Sequence, residues 1–283
     1  MSKLIFAPAV FQFSEIDIKW SGVSEWMHYN GYNDGNSKIL YDLEDNIQNG
    51  SLKPADALSE LCARFCYRAF KSGRPSPEHI YNIIESGHGS VLAHVSVTLA
   101  IQGVSRSLTH ELVRHHVGVN PSQESQRYVD ARDINFVVPP IMYYAWSLQS
   151  GPVRAALERE FMADQQQQVE KYIETQKYLS TFLENHNPFH DGEKLKKRIN
   201  EASRCHLPNA SETRLTWTMN LRAARDILGS PTKRGSEGAD LEIRRLALEM
   251  LEHFRSEAPL TFQDFEVVEM PVVNGIKSKF GGV

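Results

Sequence analysis

A mixed α+β fold is predicted by three features of the chain. After Pro54 the apolar residues Leu58, Leu61, Cys62, Phe65 and Ala69 recur at three- and four-residue spacing, the period of a helix with one buried face. From Val91 to Gln102 the pattern instead alternates, with Val91, Ala93, Val95, Val97, Leu99 and Ile101 on one side and His94, Ser96, Thr98 and Gln102 on the other, the period of a strand with one polar face. Glu212 to Asn220 alternates again, opposing Leu215, Trp217 and Met219 to Arg214, Thr216, Thr218 and Asn220.

The remaining elements follow in order. Residues 1 to about 50 hold a short apolar run, Ile5 to Phe13, then HYNGYNDGNS, whose Asn and Gly read as turn and loop. The helix from Pro54 is closed by SGRPS, and a second helix runs from Pro77 to Glu85 before Ser86 and Gly87. Beyond the strand that carries His94, Ser105 is placed to cap a helix RSLTHELVRHH, with Leu108 and Leu112 facing inward. That helix delivers Arg114, His115 and His116 at its C-terminal end, where the helix dipole favours cations. A polar loop follows, then a strand in DINFVVPP ended by two prolines.

A long helix extends from Pro152 to about Asn185, with Leu157, Phe161, Val169, Tyr172, Leu179 and Phe182 inward and Gln165 to Gln168 solvated. A shorter helix covers Glu193 to Arg204. Past the strand ending at Asn220 the chain turns helical to Leu228, is interrupted by GSPTKRGSEG, and resumes as the amphipathic helix ADLEIRRLALEMLEHF with Leu241, Leu246, Leu248 and Leu251 apolar. The tail KSKFGGV reads as mobile.

Composition narrows the classes of function. With 283 residues, 41% hydrophobic and 23% charged, the chain is an ordinary globular protein able to bury a sizeable core. Its 31 Lys and Arg against 35 Asp and Glu give a net charge of -4, and no basic run supplies the footprint of nucleic-acid binding. The start, MSKLIFAPAVFQF, is broken by Pro8 and Gln12, too early for a signal peptide. No stretch reaches the roughly 18 apolar residues of a membrane helix. Three cysteines, Cys62, Cys66 and Cys205, argue against a disulfide framework, so a cytoplasmic protein without nucleic-acid or membrane partners is expected, with Cys62 and Cys66 as core thiols. There is no internal repeat and no clean linker, so residues 1 to 283 are read as a single domain.

Polar matter is concentrated in LVRHHVGVNPSQESQRY, residues 112 to 128. Arg forks pair with phosphate bidentately, and Ser122, Gln123, Ser125 and Gln126 around Arg127 add neutral groups suited to a base with carbonyl and N–H edges. Further Arg residues stand at element ends: Arg114, Arg204, Arg214, Arg222 and Arg234. HELVRHH does not make a zinc site, because His110 and His115 are about 140° apart at roughly 100° per residue, and no metal is expected. Neither a dinucleotide nor a phosphate-loop glycine motif is present, and Ser90, Ser122 and Ser125 lack a nucleophile elbow.

Three blocks then resemble the flavin-dependent thymidylate synthases: ESGHGSVLAHVSVTLAIQGVSRSLTHELVRHH, SQESQRYV, and LPNASETRLTWTMNLRAARDIL with RGSEGADLEIRRLALEML and FQDFEV. They span about residues 85 to 268. The resemblance implies a mixed α/β protomer, α+β with a central, mostly antiparallel sheet flanked by long helices, assembled as a homotetramer with active sites shared between subunits. It implies FAD as cofactor, NADPH as reductant, methylenetetrahydrofolate as carbon donor and conversion of dUMP to dTMP. Carried onto this chain, Arg114, Gln123, Ser125, Gln126, Arg127, Arg204 and Arg234 are expected at the dUMP. His94, His115, His116, Asn220, Arg222 and Arg234 are expected at the flavin, and Ser125, Arg234 and His94 at the reacting groups. Reduced flavin, acting through N5, supplies the hydride in that family, which removes the need for a protein nucleophile and leaves positioning and electrostatics to the protein.

The chain departs from the family pattern at several positions. His116 stands where the third residue of an Arg-His-Arg is expected, and eight residues rather than seven separate it from Ser125, with Pro121 among them. Ala93 replaces a usual Glu, Gly238 a usual His, and about two extra residues with Gly229 and Pro231 precede Arg234. These changes gather on the flavin and folate side. They leave two alternatives beside dUMP methylation: a divergent member acting on another pyrimidine nucleotide or transferring a different one-carbon group, and a nucleotide-binding paralogue without turnover.

Overall fold

The computed structural model describes residues 2–32, 38–70, 73–189, 191–229 and 233–283. The chain begins with β1 (Leu4–Ile5), β2 (Ala9–Gln12), α1 (Trp20–Tyr29), α2 (Lys38–Gln48), α3 (Pro54–Tyr67) and α4 (Ser76–Glu85). A 3-10 turn (Gly89–His94) leads to β3 (Ser96–Ser105), α5 (Arg106–Leu112), β4 (Val119–Gln123), β5 (Phe136–Val137), α6 (Pro140–Ser147), α7 (Gly151–Leu183) and α8 (Gly192–Ser203). A second 3-10 turn (Arg204–His206) precedes β6 (Glu212–Asn220), α9 (Leu221–Gly229), α10 (Leu241–Glu257), β7 (Phe265–Val268) and β8 (Gly275–Ser278). Strands β2, β3, β6 and β4, in that order, form a four-stranded sheet; β1 pairs in parallel with β5, and β7 pairs antiparallel with β8. This is the mixed helix-and-strand fold expected, with an antiparallel sheet. Among the described residues no helix is long and apolar enough to cross a membrane.

Close contacts divide the chain into two compact units. The first comprises residues up to Ala9, Ile101–Arg114 and Pro121–Thr216; the second comprises Val10–Ala100, His115–Asn120 and Trp217–Val283. In the first, α7 packs against α6 and α8, burying Trp146, Val169, Tyr172 and Ile199. Gln176 and Asn200 are buried with them, and Gln176 Nε2 donates to Asn200 Oδ1 at 2.8 Å and to Tyr172 Oη at 2.7 Å.

The second unit holds a helical core that the sequence reading passed over. Met27 of α1, Ile39, Leu40 and Leu43 of α2 and Leu61 of α3 pack with Phe70 into one cluster, and Trp26, Tyr32, Phe65 and Phe70 stack at its edge. Helical structure thus begins at Trp20, ahead of Pro54, and His28 and Tyr29 lie on α1 rather than in a loop; residues 33–37 of that stretch lie outside the described residues. Pro54 opens α3 at a position that needs no N–H donor. Burial of apolar faces at this scale contributes about 25 cal/mol per Å².

Other expectations are corrected. His94 belongs to the 3-10 turn before β3 and not to a strand face. The helix capped by Ser105, whose Oγ accepts from Leu108 N at 3.0 Å, ends at Leu112, so Arg114, His115 and His116 lie beyond it. The polar loop contains β4, whose residues carry no alternation that would announce a strand. Cys66 is exposed and Cys62 half-buried. Leu157, Phe161 and Leu179 are half-buried and Phe182 is exposed, because α7 offers only a narrow inward stripe; on α10, Leu246 and Leu251 are buried whereas Leu241 and Leu248 are half-buried.

The tail read as mobile is anchored. Lys277 and Ser278 lie in β8, the Arg225 guanidinium donates to Gly281 O at 3.1 Å, and Phe280 N donates to Asp264 Oδ2 at 3.2 Å. Arg225, fully buried, also pairs with Asp264 at 2.7 Å. The FQDFEV block is therefore structural at Asp264: desolvation opposes its ionisation, but Arg225 outweighs that and holds the carboxyl below its ordinary value.

Candidate active site

The expected nucleotide residues, Arg234 apart, fall in the first unit, and the expected flavin residues fall in the second. In the first unit β4 ends at Gln123, whose Nε2 donates to Thr109 Oγ1 at 3.2 Å and Thr213 Oγ1 at 3.1 Å. The chain is then pinned by Glu124 N donating to Arg214 O at 2.9 Å and turns at Ser125. Ser125 O accepts from Tyr128 N and Val129 N, and its Oγ accepts from Arg127 N at 3.3 Å, a local side-chain turn that fixes the direction in which Arg127 leaves the backbone. The Arg127 carbonyl accepts from Asn200 Nδ2 at 3.2 Å. The buried Gln176–Asn200 pair therefore holds this turn from behind.

Arg127 Nε lies 2.8 Å from Glu201 Oε2, and Arg198 Nη1 donates to both Glu201 oxygens at 3.1 and 3.0 Å. Arg204 begins the 3-10 turn after α8 and adds its charge at Glu201. Arg106, first residue of α5, faces Arg204: burial, and then that like charge, press its guanidinium below its usual value. A half-buried Arg106 beside the charge of an exposed Arg204 forms a site that an anion relieves. Lys197 Nζ donates to the Tyr128 hydroxyl and sits over the ring, 4.5 Å from its centroid.

On its other side the turn meets a cleft of about 140 Å³ lined by Glu124, Ser125, Gln126, Asp130, Asp133 and Glu212 among others. Its lining sets Glu124, Asp130, Asp133 and Glu212 against Arg214 alone, which suits a phosphate less well than the arginine side does. Arg114 is exposed and pairs with Glu111 at 3.7 Å. Arg106, Arg198 and Glu201 were missed by the sequence reading. The signal lay in Arg198, Glu201 and Arg204 at three-residue spacing, which puts them on neighbouring positions of one helix face and its extension.

In the second unit Arg234 Nε donates to His115 Nε2 at 3.0 Å, and the His115 ring lies 6.5 Å from that of Trp217. Asn220 closes β6: its N donates to Gly118 O at 2.9 Å, and its Oδ1 accepts from Ala223 N at 2.8 Å, capping α9. Gly118 has φ +72°, and a Cβ there would stand 2.6 Å from Asn220 Nδ2, so glycine is required both by conformation and by space. Arg222 Nε donates to Val283 O at 2.7 Å and lines a cavity of about 710 Å³ with Arg74, His79, Asn82 and His88. His94 and His116 are exposed. Arg234 and His115 are brought together, and Asn220 supports the Gly118 turn. Ala93 and Gly238 are exposed, while Pro231 and its neighbours 230–232 lie outside the described residues.

A bound flavin dinucleotide needs donors for its ring carbonyls and cations for its pyrophosphate. Arg234, His115 and Asn220, with Arg222 on a cavity of nucleotide size, are chemically suited to both.

Comparison with known proteins gives a consistent picture. The sequence model of the family described as Thymidylate synthase complementing protein matches residues 50–260. A flavin-dependent thymidylate synthase from Mycobacterium sp. (strain JLS) is 39% identical over 224 residues, covering 77% of this chain and 82% of that protein. One from Mycobacterium tuberculosis (strain ATCC 25177 / H37Ra) is 38% identical over 223 residues, covering 76% and 81%. Among solved structures, the UMP/dUMP methylase PolB from Streptomyces cacaoi, bound with 5-Br UMP, aligns with a TM-score of 0.57 over 93% of this chain and 96% of that one, at 17% identity. That likeness establishes a shared fold.

Proposed function

This chain belongs to the thymidylate synthase complementing protein family, the flavin-dependent thymidylate synthases, and from that premise we propose that it methylates dUMP reductively to dTMP. The balanced reaction joins dUMP, methylenetetrahydrofolate, NADPH and a proton to give dTMP, tetrahydrofolate and NADP⁺. The single observation that carries this reading is the arginine cluster of Arg106, Arg127, Arg198 and Arg204 beside the Ser125 turn, a site made for a phosphomonoester with neutral polar groups within one turn of the chain.

In this reading Arg127 and Arg204 hold the nucleotide phosphate and the Ser125 hydroxyl hydrogen-bonds to it. Gln126, on the cleft side, meets the pyrimidine edge, and Gln123 braces the turn through its two threonines. His94, His115, Asn220, Arg222 and Arg234 hold FAD, which when bound supplies reducing equivalents drawn from NADPH. The protein's own groups position and neutralise; they exclude water and orient the uracil ring. The functional unit is a homotetramer that completes each site.

The test is an anaerobic assay of purified protein with FAD, NADPH, methylenetetrahydrofolate and dUMP, the product identified by mass spectrometry, with dCMP run in parallel. Flavin bound on purification and dTMP from dUMP are expected. A protein that binds neither FAD nor dUMP overturns the reading. Methylation of dCMP in preference favours the divergent alternative, to which the Pro121-bearing β4 and His116 lend a specific observation.

A further inference from the structure

Within the first unit one carboxylate stands among arginines. Glu201 Oε2 is 2.8 Å from Arg127 Nε, both Glu201 oxygens accept from Arg198, and Arg204 adds a third positive charge. Desolvation works against ionisation of Glu201, but these guanidinium groups outweigh it and hold the carboxyl below its ordinary value. These cations therefore favour the ionised carboxylate.

The contact with Arg127 has an unusual quality. Its N–O distance is that of a strong ion pair, yet Arg127 Nε is buried and makes no hydrogen bond. Both observations hold at once: Glu201 is close enough to neutralise the guanidinium and lies off the direction of the N–H. Charge is compensated while a directional donor is left unmet, and a buried donor without an acceptor is costly. An oxygen arriving along that N–H would satisfy it. A phosphate dianion and the Glu201 carboxylate then compete for the same cations, and like charges in a partly buried site repel.

We propose that Glu201 is the resident counter-anion of the nucleotide phosphate site, neutralising Arg127 and Arg198 until a phosphomonoester displaces it from Arg127. Glu201 sets a threshold by competition, lowering the affinity of every phosphate-bearing ligand alike. A stray inorganic anion has only the phosphate contacts with which to displace the carboxylate, whereas a nucleotide adds contacts from its base. This inference rests on the reading of Arg127 and Arg204 as phosphate ligands.

The experiment is a calorimetric titration of the full chain with inorganic phosphate and, separately, with dUMP, on wild type, Glu201→Gln, Glu201→Asp and Arg127→Ala. Thermal melts check that each variant is folded. Glu201→Gln should bind both ligands more tightly, by about two- to fivefold, the scale of one solvent-screened charge pair. Glu201→Asp, which draws the charge back by one methylene, should show a smaller gain, and it carries the test alone if the Gln variant does not fold. A folded Glu201 variant that binds phosphate no better than wild type, or worse, overturns the proposal and makes Glu201 an orienting partner of Arg127. If dUMP binds wild type and is lost in Arg127→Ala while the Glu201 variants gain nothing, only the counter-anion role fails. If Arg127→Ala binds dUMP as wild type does, the phosphate-site reading fails with it.

Discussion

Arg234 donates its Nε–H to His115 Nε2 at 3.0 Å, linking a residue just beyond α5 to one in the breaker-rich segment before α10. As the acceptor, His115 presents a neutral imidazole with its proton on Nδ1. Arginine holds this geometry through a planar fork that lysine lacks.

The first prediction follows from that bond. Arg234→Lys and His115→Ala should each lower flavin affinity by about tenfold, the scale of one lost charge-assisted hydrogen bond. Flavin content on purification and fluorescence titration with FAD measure it. Unchanged FAD affinity in both variants would remove this pair from the flavin site.

A second prediction concerns Gly118. Alanine there meets a left-handed backbone and the Asn220 amide together, so Gly118→Ala should destabilise by about 2 kcal/mol and lower the melting temperature by about 4 to 8 °C. Because Asn220 also caps α9, the variant should lose flavin along with stability. A melting temperature equal to that of the wild type contradicts the argument.

A third prediction is a pH dependence of stability set by Asp56. This buried carboxyl accepts from Leu260 N at 2.8 Å and from Thr261 N and Oγ1 at 2.9 and 2.6 Å, but desolvation prevails and raises its pKa from 3.8 to about 6. A raised folded pKa means that the folded state binds the proton more tightly. The stability this confers is present below the unfolded value and is lost as pH rises through about 6. Asp56→Asn removes the titration, so its stability deficit relative to wild type should narrow by about 2 kcal/mol between about pH 4.5 and 7. Urea denaturation at the two pH values reads this directly, and a deficit that stays constant or widens refutes it.

The fourth prediction separates flavin chemistry from a thiolate route. Cys205 is exposed and follows Arg204 directly on its 3-10 turn, next to a residue of the proposed phosphate site. Cys205→Ala should keep dTMP formation within about twofold of wild type, since a lost nucleophile costs orders of magnitude. A thousandfold loss in a folded variant would establish a covalent role for the thiol.

Much of the secondary structure is legible because burial imposes a period. Glu212–Asn220 alternates in sequence and is β6 with the same bounds; Pro54, Ser105 and the apolar stripe of α10 mark their helices in the same way. The helix α2 was legible but overlooked, since Ile39, Leu40, Leu43 and Ile47 have helical spacing behind an Asn- and Gly-rich run that reads as loop. In contrast, β4 reads Val-Asn-Pro-Ser-Gln, a sequence with no period, and becomes a strand only because β6 offers it a partner.

The sequence by itself determined the family, the mixed α+β class and the roster of polar residues, because residue types and spacings persist along a chain whatever its neighbours do. Only the tertiary structure decided which of those residues meet: Arg127 with Glu201, His115 with Arg234, and Gln176 with Asn200 behind the Ser125 turn. The reason is physical. Periodicity records which face of an element leaves water, whereas a polar contact is set by distance and direction between side chains that can lie more than a hundred residues apart, as His115 and Arg234 do.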